Sequence, residues 1–562
     1  MKKTALTILL TVLAVMTAHA QGAYDAWLFS ENNYEGTARS VAMGNAFTAL
    51  GGDLGAVSIN PAGSAVANYS QFTLTPSISI STSTTSGVPY EGSSAPYFQN
   101  KMKSVMTRAG IPNIGFTFNF DTGRQNGLKS LTAGLIINSS NSWCEDLYAK
   151  GTNSQTSFLA AMAYDATEEI ASLNSSDPYA DPPYTKDDYL SNDAFGYMNW
   201  SNIVGYRSGM FSSYGDSGQL FAGATEKPLE NGDLIQDGTV SQAYGRSIAG
   251  YKTDYILNIG ANISDFVYIG FNLGINSITY DKTYYFKEGA IDPFENRFID
   301  SEGQEHVTYF NNATYKHSYS ADGSGVYGKL GVIVAPGNGL RIGAAVQTPT
   351  ATTIKEQWQI KGQTTFEDSS FNGRAESEVG YYEYSFSSPW MANFGIAYTL
   401  GKFAAFSIDY ELAGFGGMKY DIDRHSMSDA DIEHFDIVND DISQAYGTAH
   451  YLRLGAEFKP MSSLAVRAGY NLGTAAQKKY FDESQKDYLD LEPAYNQNVS
   501  LGVGYNSRKS FFADIACRYT FVTSEYIDTY SDYLWESNGP MPPRILNRHS
   551  NWKVLLTLGW RF

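Results

Sequence analysis

The strongest constraint on the fold lies at the C-terminus, where residues 552–562 alternate strictly between apolar and other side chains. Every second residue of this stretch is apolar, in the order Trp552, Val554, Leu556, Leu558, Trp560 and Phe562. A period of two residues is typical of a β-strand, because successive side chains of a strand point to opposite faces. The sequence therefore predicts a strand with one apolar face, bounded by aromatic rings, and one face of small or polar residues.

The same alternation recurs along the chain. In one example, Val267, Ile269, Phe271 and Leu273 alternate with residues that include Gly270. Further examples lie at 340–347, 452–458, 464–470, 499–505 and 511–521. A close-packed soluble core would fill the second face with large aliphatic residues, because protein interiors pack as densely as organic crystals. Glycine on that face indicates instead that the inner side of the sheet leaves space for another part of the structure.

The N-terminus has the pattern of a secretory signal peptide. Lys2 and Lys3 precede an apolar run from Thr4 to Met16, and Ala18-His19-Ala20 matches a small-x-small cleavage site. Residues 1–20 are therefore predicted to be removed after Ala20. The alternative is a short membrane anchor, although the run is shorter than the ~20 residues that a spanning helix needs.

No other stretch of the sequence is continuously apolar over the length of a spanning helix. A secreted chain of this kind can still cross a membrane as a closed β-barrel, since every backbone polar group in hydrocarbon must be bonded within the protein. Only 17% of the residues are charged and the net charge is -19, which argues against a nucleic-acid partner because phosphate binding needs clustered Lys and Arg. The two cysteines, Cys144 and Cys517, are too few for a disulfide scaffold or a cysteine-based zinc site.

Loop lengths give the number of strands. Tight turns alternate with long polar loops, as in bacterial outer-membrane barrels, which have short periplasmic turns and long outer loops. The predicted strands are 71–82, 111–121, 128–139, 251–263, 266–280, 306–335, 340–361, 379–399, 402–413, 444–459, 463–473, 495–506, 510–523 and 551–562. The fold class is therefore an all-β membrane protein, a 14-stranded antiparallel outer-membrane β-barrel over residues 71–562. The 306–335 segment is the weakest of these strands and could be two.

Fourteen strands would leave an open pore unless something fills it, since barrels of sixteen to eighteen strands hold an aqueous channel. Residues 21–70 precede the first strand and are predicted to form an N-terminal hatch, called the plug below. Within it, 39–50 is rich in small residues and suits a short helix in a confined lumen. Charged residues predicted to face inward could hold the plug or pair with one another, namely Arg341, Asp409, Arg453, Glu457, Arg467, Asp514 and Arg518.

The plug sequence resembles a known family. Arg39, Gly44 and Asp53, followed by Asn60-Pro61-Ala62, stand at intervals similar to those in the N-terminal hatch of the FadL/TodX family of outer-membrane transporters for hydrophobic compounds. Motif-level similarity is confined to residues 34–64.

The resemblance implies passive transport of long-chain fatty acids or aromatic hydrocarbons, captured by outer loops and released sideways after the hatch moves. It places the lateral exit at a kink in the third strand, where Gly134 is the candidate because glycine tolerates a bulge.

The 140–250 loop is large for that family and is predicted to form an extracellular subdomain. Its apolar residues are candidates for a hydrophobic ligand groove, namely Phe158, Leu159, Met162, Phe195, Met198, Trp200, Phe211 and Phe221. The alternative is that they pack against each other as the core of the loop.

No catalytic, metal or cofactor site is predicted. The seven histidines lack metal-ligand spacing, and Gly215-Asp216-Ser217 has no accompanying hydrolase motif. The expected partners are hydrophobic small molecules, outer-membrane lipid and the barrel assembly machinery, which would read the C-terminal strand ending in Phe562. A monomer that passes many times through the outer membrane of a Gram-negative bacterium is expected. Two other functions remain open: a non-specific aqueous porin, and a barrel platform for protein partners in secretion or surface display.

Overall fold

A computed structural model describes residues 22–88, 98, 100–176, 183–229, 233–299, 304–482, 487–507, 510–534 and 540–562. The predicted signal peptide, residues 1–20, lies outside these ranges. The wall of the molecule is built from fourteen strands: β1 Gln71–Val88, β2 Met102–Asp121, β3 Leu128–Asn153, β4 Val240–Ile263, β5 Val267–Ile299, β6 Glu305–Gly337, β7 Leu340–Gln347 with Ala351–Phe366, β8 Gly380–Ser387 with Met391–Leu400, β9 Ala404–Gly414, β10 Thr448–Met461, β11 Leu464–Thr474, β12 Tyr495–Asn506, β13 Phe511–Asp528 and β14 Arg544–Arg561.

These strands form a closed antiparallel barrel. Each strand pairs with the next, and β14 returns to β1 with Trp560 opposite Phe72. The predicted 14-stranded barrel is confirmed, and each predicted segment overlaps one wall strand. The 306–335 segment is one strand, which pairs with β5 along its length apart from a register shift between Phe310 and Asn312. β7 and β8 are each interrupted once, at Pro349 and Pro389, because proline has no backbone N–H to donate to a ladder.

An apolar band surrounds the outside of the barrel. On β5 the outward residues Ile269, Phe271, Leu273 and Ile275 are exposed, but further along the strand the outward position is Asp281. Aromatic residues border the band on the side of the tight turns, among them Phe266, Phe403, Phe458, Tyr505 and Phe562. Outward apolar surface with aromatic borders is the pattern of a lipid-facing barrel wall.

Arginine in this band is expected to destabilise the barrel. Ile259 on β4 is 61% exposed within the band. We expect Ile259→Arg to lower the free energy of unfolding in a bilayer by about 2–4 kcal/mol, since a cation at the bilayer midplane loses hydration. Urea titration of folded protein in vesicles measures this loss. The matched control is Asp281→Arg, which lies beyond the band and should cost much less; equal costs would contradict the assignment of the band.

Four strands project far beyond the band on one side. β5 and β6 have 33 residues each, whereas a membrane-spanning strand needs about 9–11. The turns at the opposite end are tight; only Ser264, Asp265 and Phe266 join β4 to β5, and Ser264 and Asp265 have φ of 56° and 54°, in the left-handed region that short hairpin loops commonly use. The long strand extensions and the long loops therefore share one end of the molecule, called the outer end below.

The plug lies inside the barrel. It contains α1 Ala23–Ser30, α2 Ala38–Ala42 and two 3-10 turns, Gly55–Ser58 and Pro61–Val66. Almost every residue from Tyr34 to Ala65 is buried. The small side chains of this segment let its backbone pack directly against the inner wall.

The connection between β3 and β4 forms a small folded unit over the outer end. It spans 154–239 rather than the predicted 140–250, because β3 and β4 continue beyond the apolar band, where the alternation in the sequence ends. The unit contains α3 Phe158–Ser176, α4 Trp200–Arg207 and two short hairpins, Phe211–Tyr214 with Leu220–Gly223 and Glu226–Pro228 with Leu234–Gln236. A further helix, α5 Asp429–Ala445, lies between β9 and β10. Among the described residues, no helix combines the length and the apolar character needed to span a membrane.

Candidate functional site

A chamber of about 680 Å³ lies at the outer end, between the plug and the β3–β4 connection. Its floor is α1, its cover is α3 with the residues around α4, and its side is formed by the extensions of β5, β6 and β7. The lining residues are Tyr24, Asp25, Leu28, Asp165, Glu168, Glu169, Ser172, Leu173, Phe195, Gly196, Tyr197, Met198, Asn199, Trp200, Ser201, Asn202, Tyr280, Lys282, Tyr284, His317, Tyr319, Trp358 and Ile360.

The cover is fixed to the wall by a buried carboxylate. Glu288 on β5 is 1% exposed and accepts hydrogen bonds from the backbone N–H groups of Phe158 and Leu159, at 3.0 and 3.3 Å, and from Ser157 Oγ at 2.6 Å. These groups stand at the start of α3, where unpaired N–H groups and the helix dipole favour a negative charge. Glu288 therefore positions α3 over the barrel.

The floor is fixed by a buried amine. Lys252 Nζ on β4 donates to the carbonyl oxygens of Phe29, Ser30 and Glu31, at 2.9, 3.2 and 3.3 Å. These are the last carbonyls of α1, where the helix dipole favours a cation. At the other end of α1, Tyr420 Oη donates to the Gly22 carbonyl at 2.9 Å. Both ends of α1 are thus tied to residues outside the plug.

Aromatic rings form most of the apolar lining. Trp200 from the cover and Trp358 from β7 lie 5.7 Å apart between ring centroids, and Phe195 contacts Trp200 edge-on at 5.2 Å. Tyr284 stacks on the His317 ring at 5.0 Å. Such a surface suits apolar or aromatic ligands, with the few polar groups left to orient them.

The charged residues of the lining are mostly acidic. Burial raises the pKa of Asp25 to about 7, with a further contribution from the nearby Glu356 carboxylate. Burial likewise raises the pKa of Asp165 to about 6. Lys282 is the one lysine in the lining.

The ligand-groove candidates divide into two groups. Phe195, Met198 and Trp200 line the chamber. Leu159, Met162, Phe211 and Phe221 are buried in the β3–β4 unit, and Phe158 packs at its edge against Phe286 and Tyr315. The larger group therefore packs as the core of the loop, which was the alternative. The strand residues Tyr280, His317 and Trp358 were not predicted, since they lie far apart in sequence and beyond the apolar alternation.

The hatch-motif residues lie together inside the barrel. Asn60 is fully buried; its Nδ2 donates to the Thr48 carbonyl at 2.6 Å and its Oδ1 accepts from the N–H of Ala62, the residue after Pro61, at 3.0 Å. Asp53 Oδ1 accepts from Thr37 Oγ1 at 2.6 Å. The Asp53 bond ties the segment before the first 3-10 turn to the N-cap of α2, and the Asn60 bond to Thr48 ties the second 3-10 turn to the segment that follows α2.

The charged wall residues bind both the plug and one another. Arg39 Nε of the plug donates to Glu457 Oε2 at 3.0 Å, and the Thr48 N–H donates to Asp409 Oδ2 at 2.6 Å. Arg341 donates to the Leu50 carbonyl, and Arg518 pairs with Glu35. Within the wall, Arg453 pairs with Glu411 and Arg467 with Asp514. Both expected arrangements therefore occur.

Glycines of the inner wall allow close contact with the plug. A Cβ at Gly331 would collide with Asn60 Oδ1, and one at Gly469 would collide with the backbone nitrogen of Gly44, which has φ +62°. Further wall glycines that meet the plug backbone in this way are Gly270, Gly343 and Gly455. The glycine face predicted from the sequence is thus occupied by the plug.

The bulge expected at Gly134 is not present. Gly134 is regularly paired with Thr117 of β2 and Asn258 of β4. The distortion lies further along β3: the β2–β3 ladder ends at Asn113 and Asn138, and the β3–β4 register shifts between Ser139 and Asn141. Pro112, which cannot donate to a ladder, is the β2 residue directly beyond the last pair.

Beyond this point the described parts of β2 and β3 do not pair with each other, although β2 stays paired with β1 and β3 with β4. This gap between the two strands is called the β2–β3 break below. The plug covers part of it. The N–H groups of Asn33 and Glu35 donate to the carbonyls of Ser140 and Ser139 on β3, at 2.6 and 2.8 Å. Glu35 is also buried against Lys553 and Arg518 of the wall. No motif in the sequence marked this contact.

An aromatic cluster links the chamber to the break. Tyr280, which lines the chamber, contacts Trp143 of β3 at 5.3 Å, and Phe29 of the plug contacts both rings. The Trp143 carbonyl accepts from Arg108 of β2 across the break, at 3.1 Å. A route from the chamber to the break would therefore pass over these rings.

Comparisons with solved structures match nearly the whole chain at low sequence identity. The toluene transporter TodX of Pseudomonas putida is 13% identical, with 94% of this chain and 99% of that chain covered and a TM-score of 0.43. A FadL homologue of Pseudomonas aeruginosa is 10% identical, with 95% and 99% covered and a TM-score of 0.46. The toluene transporter TbuX of Ralstonia pickettii is 13% identical, with 94% and 99% covered and a TM-score of 0.42.

No family model matches the sequence, and no curated protein matches it. In the part of the chain that the structure describes, no group of three or more His, Cys, Asp or Glu side chains could hold a metal ion.

Proposed function

We propose that this chain is a passive channel for hydrophobic compounds in the outer membrane of a Gram-negative bacterium, of the FadL/TodX type. One observation carries the proposal: a closed barrel whose lumen is filled by its own N-terminal segment, with an aromatic chamber directly above that segment. A filled lumen does not suit the free diffusion of water-soluble molecules. An aromatic chamber at the outer end suits a compound that avoids water.

The proposed organisation follows the sequence segments. Residues 1–20 direct export, 21–70 form the plug, 71–562 form the barrel, and the β3–β4 connection within it covers the chamber. Long-chain fatty acids and aromatic hydrocarbons are the proposed substrate classes. No energy source is proposed, so net flow follows the concentration gradient.

The proposed route has four steps. A compound enters beneath the cover, rests among the rings of the chamber, passes the Tyr280–Phe29–Trp143 cluster, and leaves sideways through the β2–β3 break. The last step needs the plug residues Asn33 and Glu35 to leave β3, since they cover part of the break. We therefore propose lateral release at residues 138–141 of β3 rather than at Gly134.

Uptake by whole cells tests the proposal. Cells that lack this protein are compared with cells that express it, using radiolabelled toluene, a radiolabelled long-chain fatty acid and a small labelled sugar as the water-soluble control. We expect the protein to raise the initial uptake rate of at least one hydrophobic compound and to leave sugar uptake unchanged. Faster sugar uptake would support an aqueous porin instead. No change in any uptake rate, together with a protein partner in crosslinked pull-downs, would support the platform function.

A further inference from the structure

The charges around the chamber point to a narrower class of ligand. Four carboxylates line it, from Asp25, Asp165, Glu168 and Glu169, against the single lysine Lys282. Glu356 on β7 is 0% exposed, accepts hydrogen bonds from Tyr319 and Tyr384, and lies close enough to Asp25 to raise its pKa. The chamber is therefore acidic although most of its surface is apolar.

Arg246, which lies near Lys282, does not offset the negative charge around the chamber. Arg246 on β4 is held between two carboxylates, Glu145 and Glu525, at 2.6 and 2.5 Å. This group of three carries a net negative charge. It lies close enough to Lys282 to act on it electrostatically, as Asp25 also does.

A buried polar atom in the lining lacks a partner. His317 is 5% exposed and lines the chamber, and its Nδ1 has no hydrogen bond within the described structure. Burial and the nearby Lys282 lower the pKa of this imidazole to about 4, and it lies on β6 well beyond the apolar band. A neutral imidazole with a free ring nitrogen can accept a hydrogen bond from an N–H or O–H group of a ligand.

We infer that the chamber binds amphiphilic organic cations, such as aryl-alkyl amines, in preference to carboxylates of the same skeleton. The ammonium group would lie near Asp25 and Asp165, and the apolar part would lie against Trp200 and Trp358. The rings add to this preference, because the faces of Trp and Tyr attract cations. A carboxylate would have to enter a largely apolar chamber whose charged groups are mostly negative. Repulsion between like charges is stronger there than in water. The inference rests on the proposed function. Within the hydrophobic compounds proposed there, it favours aromatic skeletons that carry an amine and disfavours the fatty acids, whose carboxylate has the charge sign of the chamber.

Three ligands with one skeleton test the inference: 4-phenylbutylamine, 4-phenylbutan-1-ol and 4-phenylbutyrate. Each is titrated by calorimetry into the full-length protein in nanodiscs at about pH 8.5, where Asp25 is ionised although burial raises its pKa to about 7. We expect the amine to bind about tenfold more tightly than the alcohol, and the carboxylate to bind at least about tenfold more weakly than the alcohol.

Isosteric variants identify the groups responsible. In Asp25→Asn with Asp165→Asn, the preference for the amine over the alcohol should disappear while the alcohol binds as before, which also shows that the chamber is intact. Glu433→Gln, on the exposed surface of α5, is the matched control and should keep the wild-type preference. In Lys282→Gln the carboxylate should remain the weakest ligand. These three results together would support the inference.

Several results would overturn it. Tighter binding of the carboxylate than of the alcohol, lost in Lys282→Gln, would show that the lysine decides the selectivity. Equal affinity for all three ligands would show that charge plays no part. Either result leaves the proposed function standing if hydrophobic uptake in cells is observed. No binding of any of the three overturns the inference, and with unchanged uptake in cells it overturns the proposed function as well.

Discussion

Glu35→Ala is expected to free the plug from the wall at its most deeply buried ionic contact. Glu35 accepts hydrogen bonds from Ser142 Oγ at 2.8 Å and from Arg518 Nη2 at 3.2 Å, and it forms an ion pair with Lys553. The side chains of Glu35, Arg518 and Lys553 are 4%, 7% and 4% exposed. Alanine would leave two buried cations without their carboxylate partner, and breaking a buried pair in this way costs about 3–5 kcal/mol.

Amide hydrogen exchange measures how far Glu35→Ala loosens the plug. We expect the amides of 33–58 to exchange much faster in Glu35→Ala, while those of β10–β12 keep their protection. The control is Asp436→Ala, which breaks the exposed pair of Asp436 with Arg424; an exposed pair contributes about 0–1 kcal/mol. Unchanged exchange in the plug of Glu35→Ala would show that its packing against the glycine face is sufficient to hold it.

Trp358→Ala combined with Trp200→Ala is expected to give the largest loss of transport without loss of the fold. Trp200 belongs to the cover of the chamber and Trp358 to its side, and their ring centroids are 5.7 Å apart. Losing both removes the main aromatic surface that a ligand would contact, and an aromatic pair contributes about 0.5–1.5 kcal/mol beyond its buried area. We therefore expect ligand affinity to fall by roughly tenfold or more.

The measurement is the initial uptake rate of the hydrophobic compound identified in cells, at concentrations below saturation. Trp390→Ala is the matched control, because Trp390 is 44% exposed between the two segments of β8 and does not line the chamber. That variant should transport at the wild-type rate. Equal rates in the double variant and the wild type would mean that transport does not use the chamber.

The barrel could be predicted from the sequence because lipid imposes a simple pattern. At 267–275 every second residue must be apolar where it meets hydrocarbon, and the opposite face carries glycine where the plug approaches. Beyond residue 275 both faces of β5 meet water or protein, so the alternation ends. The extensions of β3, β4 and β5 could not be predicted for that reason, whereas the predicted segment 306–335 covers nearly all of β6.

The chamber was harder to predict than the barrel. Its side residues Tyr280, His317 and Trp358 come from three strand extensions and meet only after the barrel closes. In the β3–β4 unit, a run of apolar residues gives no sign of which side chains pack inward. Phe211 and Phe221, each 1% exposed, form its core, whereas Trp200 lines the chamber. The predicted position of the kink in β3, at Gly134, was wrong because this glycine marks a site of close packing and not a bulge.

Ion conductance across a planar bilayer tests the central claim most directly, namely that the N-terminal segment closes the lumen. The full-length protein is compared with a chain that lacks residues 22–66. We predict no stable conductance from the full-length protein and stable open steps from the shortened chain, since a 14-stranded barrel without its plug holds an aqueous pore. Stable conductance from the full-length protein, at the same level as from the shortened chain, would contradict the account.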